Sequence, residues 1–112
     1  MISGIWHGWT SPANADEYES LLKEEIFVGI FNRHIHGFRS IQLLHRNVGQ
    51  EVEFITIMLF ASLDAVREFA GQEYELAVVT PRARAVLSHF DERSQHYEVI
   101  EQQNALPRNC IF

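Results

Sequence analysis

The sequence predicts an α+β domain whose elements follow the order β-α-β-β-α-β. Three observations support this prediction: a long apolar strand in the middle of the chain, amphipathic helical segments on either side of it, and a turn that joins two strands into a hairpin. In this arrangement four strands form one antiparallel sheet, the helices lie on a single face, and the first and third strands are central. The domain is assigned to residues 1–101 and a C-terminal tail to residues 102–112.

The apolar strand spans Val52–Ala61 and is rich in the β-branched and aromatic residues that favour strands. Both of its parities are apolar: one contains Phe54, Met58 and Phe60, and the other contains Ile55, Ile57 and Leu59. In a strand with one solvent-exposed face, apolar and polar residues would alternate. Both faces of this strand must therefore be covered. The helices cover only one face. We therefore predict an obligate homodimer whose two sheets pack face to face.

The first strand, Ile2–Thr10, places Gly4, Trp6 and Gly8 on one parity. Glycines on both sides of a tryptophan leave empty volume beside a large flat side chain. The pattern indicates either close packing of another element against the strand or room for a ligand.

Helical periodicity begins after the break at residues 11–13. Asn14 is a candidate N-cap, with Glu17 three residues later. Apolar residues then recur at spacings of three and four, as on one side of a helix. We therefore place the first helix at about residues 14–29, with Gly29 as its terminator. The second strand, Phe38–Arg46, leads through a glycine-containing turn at residues 47–50 into the apolar strand, which predicts a β-hairpin.

The second half of the chain is predicted to be mainly helical before it returns to the sheet. Ser62 caps a helix that ends at Gly71, residues 72–79 are expected to add a further helical turn or two, and a new helix runs from Pro81 to Phe90. Arg93–Glu101 forms the last strand. The tail has no periodicity, and it is either mobile or an arm that lies on a partner.

Composition limits the class of protein. The 112 residues suit one domain, and a net charge of −6 argues against a nucleic-acid partner, which would require a basic face. The sequence shows no secretory signal and no apolar run long enough to cross a bilayer, and its single cysteine, Cys110, cannot form an intrachain disulfide. We expect a cytoplasmic protein.

Several short motifs resemble one known family. The W-x-G-x-T pattern at Trp6–Thr10, the P-x-N-A-D-x-Y pattern at Pro12–Tyr18, and the passage from strand to helix at Phe60–Val66, followed by Phe69-Ala70, are similar to those of the antibiotic biosynthesis monooxygenase-like proteins. The resemblance covers about residues 1–101. It implies a ferredoxin-like βαββαβ fold that forms a dimeric α+β barrel, with a pocket between helices and sheet in each subunit.

The resemblance also implies a range of activities. Some relatives oxidise polycyclic phenols with molecular oxygen and no metal or flavin, others degrade haem, and others are isomerases or have no known activity. Haem-degrading members carry an asparagine on the first strand, a tryptophan on the helix after the third strand, and a histidine about ten residues later. The corresponding regions here contain Trp6, Phe69 and Val79. The missing haem ligand argues against haem degradation.

Oxidation without a cofactor requires a base with a pKa near neutral in a mostly apolar pocket, and histidine suits that role. His7 and His96 are the candidate catalytic residues because they lie on the first and last strands, which are neighbours in the predicted sheet. The alternative for each is a hydrogen-bonded histidine in the interior or at the dimer contact. If Trp6 faces the helices, His7 faces the opposite side, toward the partner subunit.

The other histidines are weaker candidates. The spacing of His34 and His36 is compatible with a metal site, but no acidic or cysteine ligand lies nearby, so we expect an exposed loop and no metal. His45 and His89 are expected on the surface, as are Arg39 and Arg46.

An aromatic wall for a flat ligand is the second part of the candidate site. Its candidate substrate-binding residues are Trp6, Gly8, Phe54, Phe69, Tyr74 and Tyr97, with Phe90 nearby. Ordinary core packing is the alternative role for these aromatics. The sequence contains no glycine-rich phosphate loop, no C-x-x-C pair and no G-x-S-x-G elbow, which argues against nucleotide-dependent or acyl-enzyme chemistry.

Two functions remain open. The first is a monooxygenase without cofactors that acts on an aromatic or quinone-type small molecule, with His7 or His96 as the base. The second is a non-catalytic dimeric module that binds a small apolar ligand or has a structural role.

Overall fold

A five-stranded antiparallel sheet with helices on one face forms the frame of the computed structural model, which describes residues 1–105. The strands are β1 (Ile2–Thr10), β2 (Phe38–Val48), β3 (Glu51–Phe60), β4 (Leu87–Phe90) and β5 (Gln95–Glu98). Their order is β2-β3-β1-β4, and β5 also pairs with β1. The predicted fold class and the central position of the first and third strands are confirmed. The sheet differs from the prediction in having a fifth strand.

The helices are short and lie between strands. They are α1 (Ala15–Leu21), α2 (Phe27–Asn32), α3 (Leu63–Ala70) and α4 (Pro81–Val86); a 3₁₀ turn at Pro12–Asn14 precedes α1, and a π-helical turn at Leu22–Ile26 joins α1 to α2. Of the described helices, none has the length and apolar character needed to cross a membrane.

The first helical segment is longer than predicted. It starts at Pro12, where the Ser11 hydroxyl accepts a hydrogen bond from the Asn14 amide at 3.3 Å, and Asn14 itself makes no side-chain cap. Gly29 does not end it, because the backbone remains helical to Asn32. A Cβ atom at Gly29 would have no neighbour within 4 Å, so Gly29 is not needed there for a close approach of another element.

The hairpin and the cap of α3 agree with the sequence. β2 and β3 pair from Phe38 with Phe60 to Val48 with Glu51, and Gly49 in the turn has a φ of +66°. The Ser62 hydroxyl accepts from the Ala65 amide at 3.2 Å, and Gly71 ends α3 with a φ of +88°. A positive φ is accessible to glycine without steric cost, which explains both glycines.

The prediction for residues 72–90 was correct only in part, because a helix does start at Pro81. Residues 72–79 contain turns and a single bridge between Leu76 and Arg93 in place of helix, and the helix that starts at Pro81 stops at Val86. Residues Leu87–Phe90 then form β4 against Gly8–Thr10 of β1. Because β5 is only four residues long and pairs with Ile2–Ile5, the other half of this β1 edge would otherwise lack hydrogen-bond partners.

The two faces of the sheet have different surroundings. Phe54 and Phe60 are 1% exposed beneath the helices, Phe54 in a core cluster with Tyr18 and Phe60 in a second cluster with Val66. Met58 packs beside Phe60. These three residues therefore face the helices, as their parity predicted. Ile55, Ile57 and Leu59 lie on the other face and remain partly exposed in the single chain.

The tail is described only in part. Residues 102–105 are exposed and have no regular secondary structure. The rest of the predicted tail, including Cys110, lies outside the described residues, and the domain boundary at residue 101 stays a prediction.

Candidate active site

A cavity of about 130 Å³ lies between the helical face of the sheet and the elements that cover it, and it opens to solvent. Gly4, Trp6, Thr56 and Met58 are on its sheet side. Its other walls come from α1, α2, α3 and the irregular segment of residues 74–80. The lining is mainly apolar, as is usual for a site that binds a small molecule.

The glycines of β1 provide space for two aromatic rings. A Cβ atom on Gly4 would lie 3.0 Å from both Cδ2 and Nε2 of His96, and a Cβ atom on Gly8 would lie 2.9 Å from Cη2 of Trp6. The space predicted above the two glycines is therefore filled by the ring of His96 at Gly4 and by the indole of Trp6 at Gly8. Gly8 lies beneath the indole and does not line the cavity.

His96 is the histidine of the cavity. It pairs with Gly4 in the β1–β5 ladder and lines the cavity beside Tyr74, whose ring stands edge-on to the imidazole at 5.1 Å. Desolvation by burial lowers the pKa of His96, and the negative charge of Glu75 opposes this effect in part. Its Nδ1 atom is buried and has no hydrogen-bond partner among residues 1–105. His96 is thus the histidine whose ring lies in the apolar cavity and whose pKa is lowered by burial.

Aromatic side chains form the walls on both sides of this histidine. Phe69 packs on Phe60 with a centroid distance of 5.7 Å, and the guanidinium groups of Arg33 and Arg67 lie 5.3 Å from the centroid of Phe69 and 5.8 Å from that of Tyr74. The Nε1–H group of Trp6 donates to the Asp91 carbonyl at 2.7 Å. These contacts hold the walls in fixed orientations.

The structure brings together only part of the predicted site. Trp6, Phe69, Tyr74 and His96 line the cavity, and so does Val79. Phe54 lies outside the lining, in the core beneath Tyr18. Tyr97 pairs with Ser3 on the opposite face of the sheet and is 50% exposed. Phe90 packs against Trp6 at 6.1 Å.

His7 lies on the opposite face from the cavity. Its Nδ1 atom is 2.9 Å from Oε2 of Glu53, and Arg46 Nε donates to Oε1 of the same carboxylate at 2.7 Å. Glu53 is only 5% exposed, and the hydrogen bond from Arg46, followed by that from His7, lowers the pKa of its carboxyl. Beside this cluster, Trp9 stacks on His89 at 4.4 Å. His7 therefore contacts the Glu53 carboxylate on the face opposite the cavity and does not line the cavity.

The remaining histidines do not form a metal site in the described part of the chain. Residues 1–105 contain no group of three or more histidine, cysteine or acidic side chains placed to hold a metal ion. His34 and His36 lie in the exposed connection after α2, where the His36 amide donates to Oε2 of Glu68.

Tyr18 and Thr56 are among the cavity residues that were not singled out in the sequence. Tyr18 is 1% exposed and lines the cavity from the first helix. Thr56 also lines the cavity. Its position in the sequence was the available signal. Thr56 is the only polar residue among the helix-facing residues of β3, which are otherwise Val52, Phe54, Met58 and Phe60.

Known structures share this architecture, although neither a protein-family model nor a curated protein matches the sequence. A candidate antibiotic biosynthesis monooxygenase from Bacillus cereus superposes with a TM-score of 0.66 at 15% identity, over 93% of this chain and 97% of that one. The heme-degrader MhuD from Mycobacterium tuberculosis, with two hemes bound in its active site, gives 0.58 at 22% identity over 93% and 100%.

A third similar structure is that of SnoaB, a cofactor-independent oxygenase from Streptomyces nogalater, with a TM-score of 0.53 at 20% identity over 92% of this chain and 95% of that one. Identities this low establish the fold and leave the activity open. The resemblance expected from the sequence is confirmed at that level: this chain has the fold of the antibiotic biosynthesis monooxygenase-like proteins.

Proposed function

We propose that this protein binds a flat phenolic molecule in the cavity and oxidises it with molecular oxygen, using His96 as the general base and no cofactor. The observation that carries this proposal is the His96 imidazole, which lines an apolar, aromatic cavity. Similar folds described as an oxygenase without cofactors and as a heme degrader show that this architecture supports oxidative chemistry in other proteins.

The environment of His96 suits a base that works near neutral pH. Because burial lowers its pKa, the imidazole is neutral at pH 7 and can accept a proton. The imidazole lines the cavity, so a phenolic hydroxyl bound there can approach the ring. The surrounding apolar walls shield part of the ring from solvent.

The proposed reaction balances without a further reactant. Loss of the proton to His96 gives a phenolate, which passes one electron to dioxygen. The two radicals then join through a new carbon–oxygen bond, and loss of water from the resulting hydroperoxide leaves a quinone. With 1-naphthol, one molecule of substrate and one of dioxygen give one 1,4-naphthoquinone and one water, and His96 returns its proton during the loss of water.

The walls of the cavity orient the ring of the substrate. Tyr74 and Phe69 are each held in place by a guanidinium group over their rings, and Met58 adds a polarisable sulfur that contacts aromatic faces well. Such walls bind a planar molecule without specific polar contacts and leave the reacting hydroxyl to His96.

We further propose that the functional unit is a homodimer formed by the face of the sheet opposite the cavity. Ile55, Ile57 and Leu59 lie on that face, and Leu44 beside them is 43% exposed in the single chain. An apolar sheet face of this kind is normally covered in a stable protein. A second copy presents the same surface and satisfies the requirement symmetrically.

The histidines on the two faces of the sheet provide the decisive experiment. Oxygen uptake with 1-naphthol is measured for the wild type, for His96→Gln, and for His7→Gln as the matched control from the opposite face. We expect the His96 variant to lose at least about 10²-fold in rate, which is the usual contribution of a general base, and the His7 variant to retain oxidation. Unchanged uptake in the His96 variant would refute the assignment, whereas binding of 1-naphthol without uptake in the wild type would favour the non-catalytic module.

A further inference from the structure

We propose that Tyr18 is a second recognition group of the cavity and donates a hydrogen bond to a ligand oxygen at the end remote from His96. The inference rests on the proposed function, because it takes the His96 end as the place of the reacting hydroxyl. It narrows the ligand to a two-ring aromatic molecule with a phenolic hydroxyl at one end and a carbonyl or comparable acceptor at the other.

The first reason is the state of the Tyr18 hydroxyl. The residue lies on α1, is 1% exposed, lines the cavity and packs edge-on to Phe54 at 5.0 Å. Its hydroxyl makes no side-chain hydrogen bond among residues 1–105, it is not one of their fully enclosed unpaired atoms, and burial alone raises its pKa. Buried tyrosine hydroxyls normally find a partner. A ligand oxygen in the adjoining cavity would be such a partner.

The second reason is the protonation of this phenol. Because burial raises its pKa, Tyr18 keeps its proton throughout the physiological range and acts only as a neutral hydrogen-bond donor toward an acceptor. It therefore complements His96, which accepts a proton. A ligand that matches both groups needs a donor hydroxyl at one end and an acceptor oxygen at the other.

The third reason is the separation of the two ends. His96 pairs opposite Gly4, and Phe54, on which Tyr18 packs, pairs opposite Gly8 on the same strand. Four residues along a strand correspond to about 13 Å. Two hydrogen bonds of about 2.8 Å leave about 7 Å between the two ligand oxygens, which is close to the span across a naphthalene substituted at opposite ends.

The volume is consistent with this size. The cavity measures about 130 Å³ and is open on one side. An engineered cavity of about 150 Å³ accommodates benzene, so a closed space of this size holds one ring, and the open side admits a second.

Two matched naphthols test the proposal. 6-Acetyl-2-naphthol and 6-isopropyl-2-naphthol have nearly the same shape and differ in one carbonyl oxygen. Their dissociation constants are measured by fluorescence titration under argon for the wild type, Tyr18→Phe and Tyr97→Phe. The readout is the ratio of the two constants within each protein, because the hydrophobicity difference between the probes then cancels when the proteins are compared.

We expect Tyr18→Phe to lower the preference for the acetyl probe by about 5-fold to 10-fold, which corresponds to one neutral hydrogen bond, and to leave affinity for the isopropyl probe unchanged. Tyr97→Phe removes a tyrosine hydroxyl from the opposite face of the sheet, where the side chain is 50% exposed, and should keep the wild-type ratio. An unchanged ratio in Tyr18→Phe would overturn the proposal, and so would failure of both probes to bind the wild type. These titrations exclude oxygen, so they can succeed even if His96 proves not to be a catalytic base.

Discussion

Replacing Gly4 with alanine tests whether the missing side chain beneath His96 determines where the imidazole lies. The new Cβ atom would be 3.0 Å from Cδ2 and Nε2 of the ring, well inside an ordinary van der Waals contact of about 3.5–4.0 Å. Gly4 lies in the middle of β1, and its φ is not positive, so alanine fits the backbone. The perturbation therefore acts on the ring of His96.

Two opposing effects determine the change in stability. Alanine reduces the entropy of the unfolded chain and stabilises the fold by about 0.4–1 kcal/mol. Overpacking costs about 1–3 kcal/mol in a closed core, but His96 is only partly buried and lines an open cavity, so the ring has room to move. We expect a net loss in the free energy of unfolding of less than about 2 kcal/mol.

The effect on function should be much larger than the effect on stability. A ring displaced by up to about 1 Å no longer meets the substrate hydroxyl correctly, and a misplacement of that size can reduce a rate by about 10²-fold. Urea unfolding gives the first quantity, and oxygen uptake with 1-naphthol gives the second. A variant that stays folded and loses oxidation would connect Gly4 to the chemistry through His96.

Two other glycines provide the controls. Gly29→Ala adds a methyl group in open space within a helix and should stabilise the protein by about 0.5–1 kcal/mol without altering oxidation. Gly8→Ala places a Cβ atom 2.9 Å from Trp6, whose indole is held by the carbonyl of Asp91, so its stability loss should exceed that of Gly4→Ala. If Gly4→Ala oxidises 1-naphthol at the wild-type rate, the position of His96 does not depend on Gly4 and the reasoning fails.

Three further predictions concern pH and assembly. Burial lowers the pKa of folded His96, so between the ordinary value of about 6.5 and the lower folded value the unfolded chain binds more protons than the folded one. The free energy of unfolding should therefore fall as pH decreases through that window. Urea unfolding of His96→Gln from pH 7 to pH 5 should show a smaller dependence on pH. Hydrogen bonds from Arg46 and His7 lower the pKa of Glu53, so its contribution to stability is present above the ordinary carboxyl pKa and is lost as pH falls through the folded value. Glu53→Gln should therefore cost about 1–3 kcal/mol at pH 7 and less at pH 3, which thermal unfolding at the two pH values can establish. Ile57→Lys places a charge on the face proposed for the dimer, and light scattering should then give the mass of one chain; a wild type that is already monomeric would contradict the dimer proposal.

The sequence predicted the elements whose signals are local. The hairpin turn, the serine cap of α3 and the alternating parities of β3 each depend on residues a few positions apart, and all three are present. Residues 87–90 were assigned to a helix because they continue an apolar helical pattern from Pro81. Their strand conformation follows from the open edge of β1 at Gly8–Thr10, which is distant in sequence, so long-range pairing outweighs local propensity there.

The candidate site was predictable only in part for a related reason. His96 was identified because a titratable residue on a predicted strand is conspicuous, and Trp6 because glycines flank it. Tyr18 was overlooked since helical spacing shows only that a side chain faces inward. Whether the inward space is a packed core or a cavity depends on what the segment of residues 74–80 leaves unfilled, and no local pattern reports that volume.

Side chains of β1 point alternately to the cavity face of the sheet and to the face proposed for the dimer. Gly4, Trp6 and Gly8 face the helices, and His7 and Trp9 face the other way, so two histidines on paired strands end on opposite sides of the sheet. A shift of one residue in the register of β1 would exchange these faces and place His7 under the helices. The buried Glu53 carboxylate opposes such a shift, because it would lose its hydrogen bond to His7 while remaining paired with Arg46 from β2. The ion pair on the outer face thus helps to fix the register that positions Gly4 beneath His96.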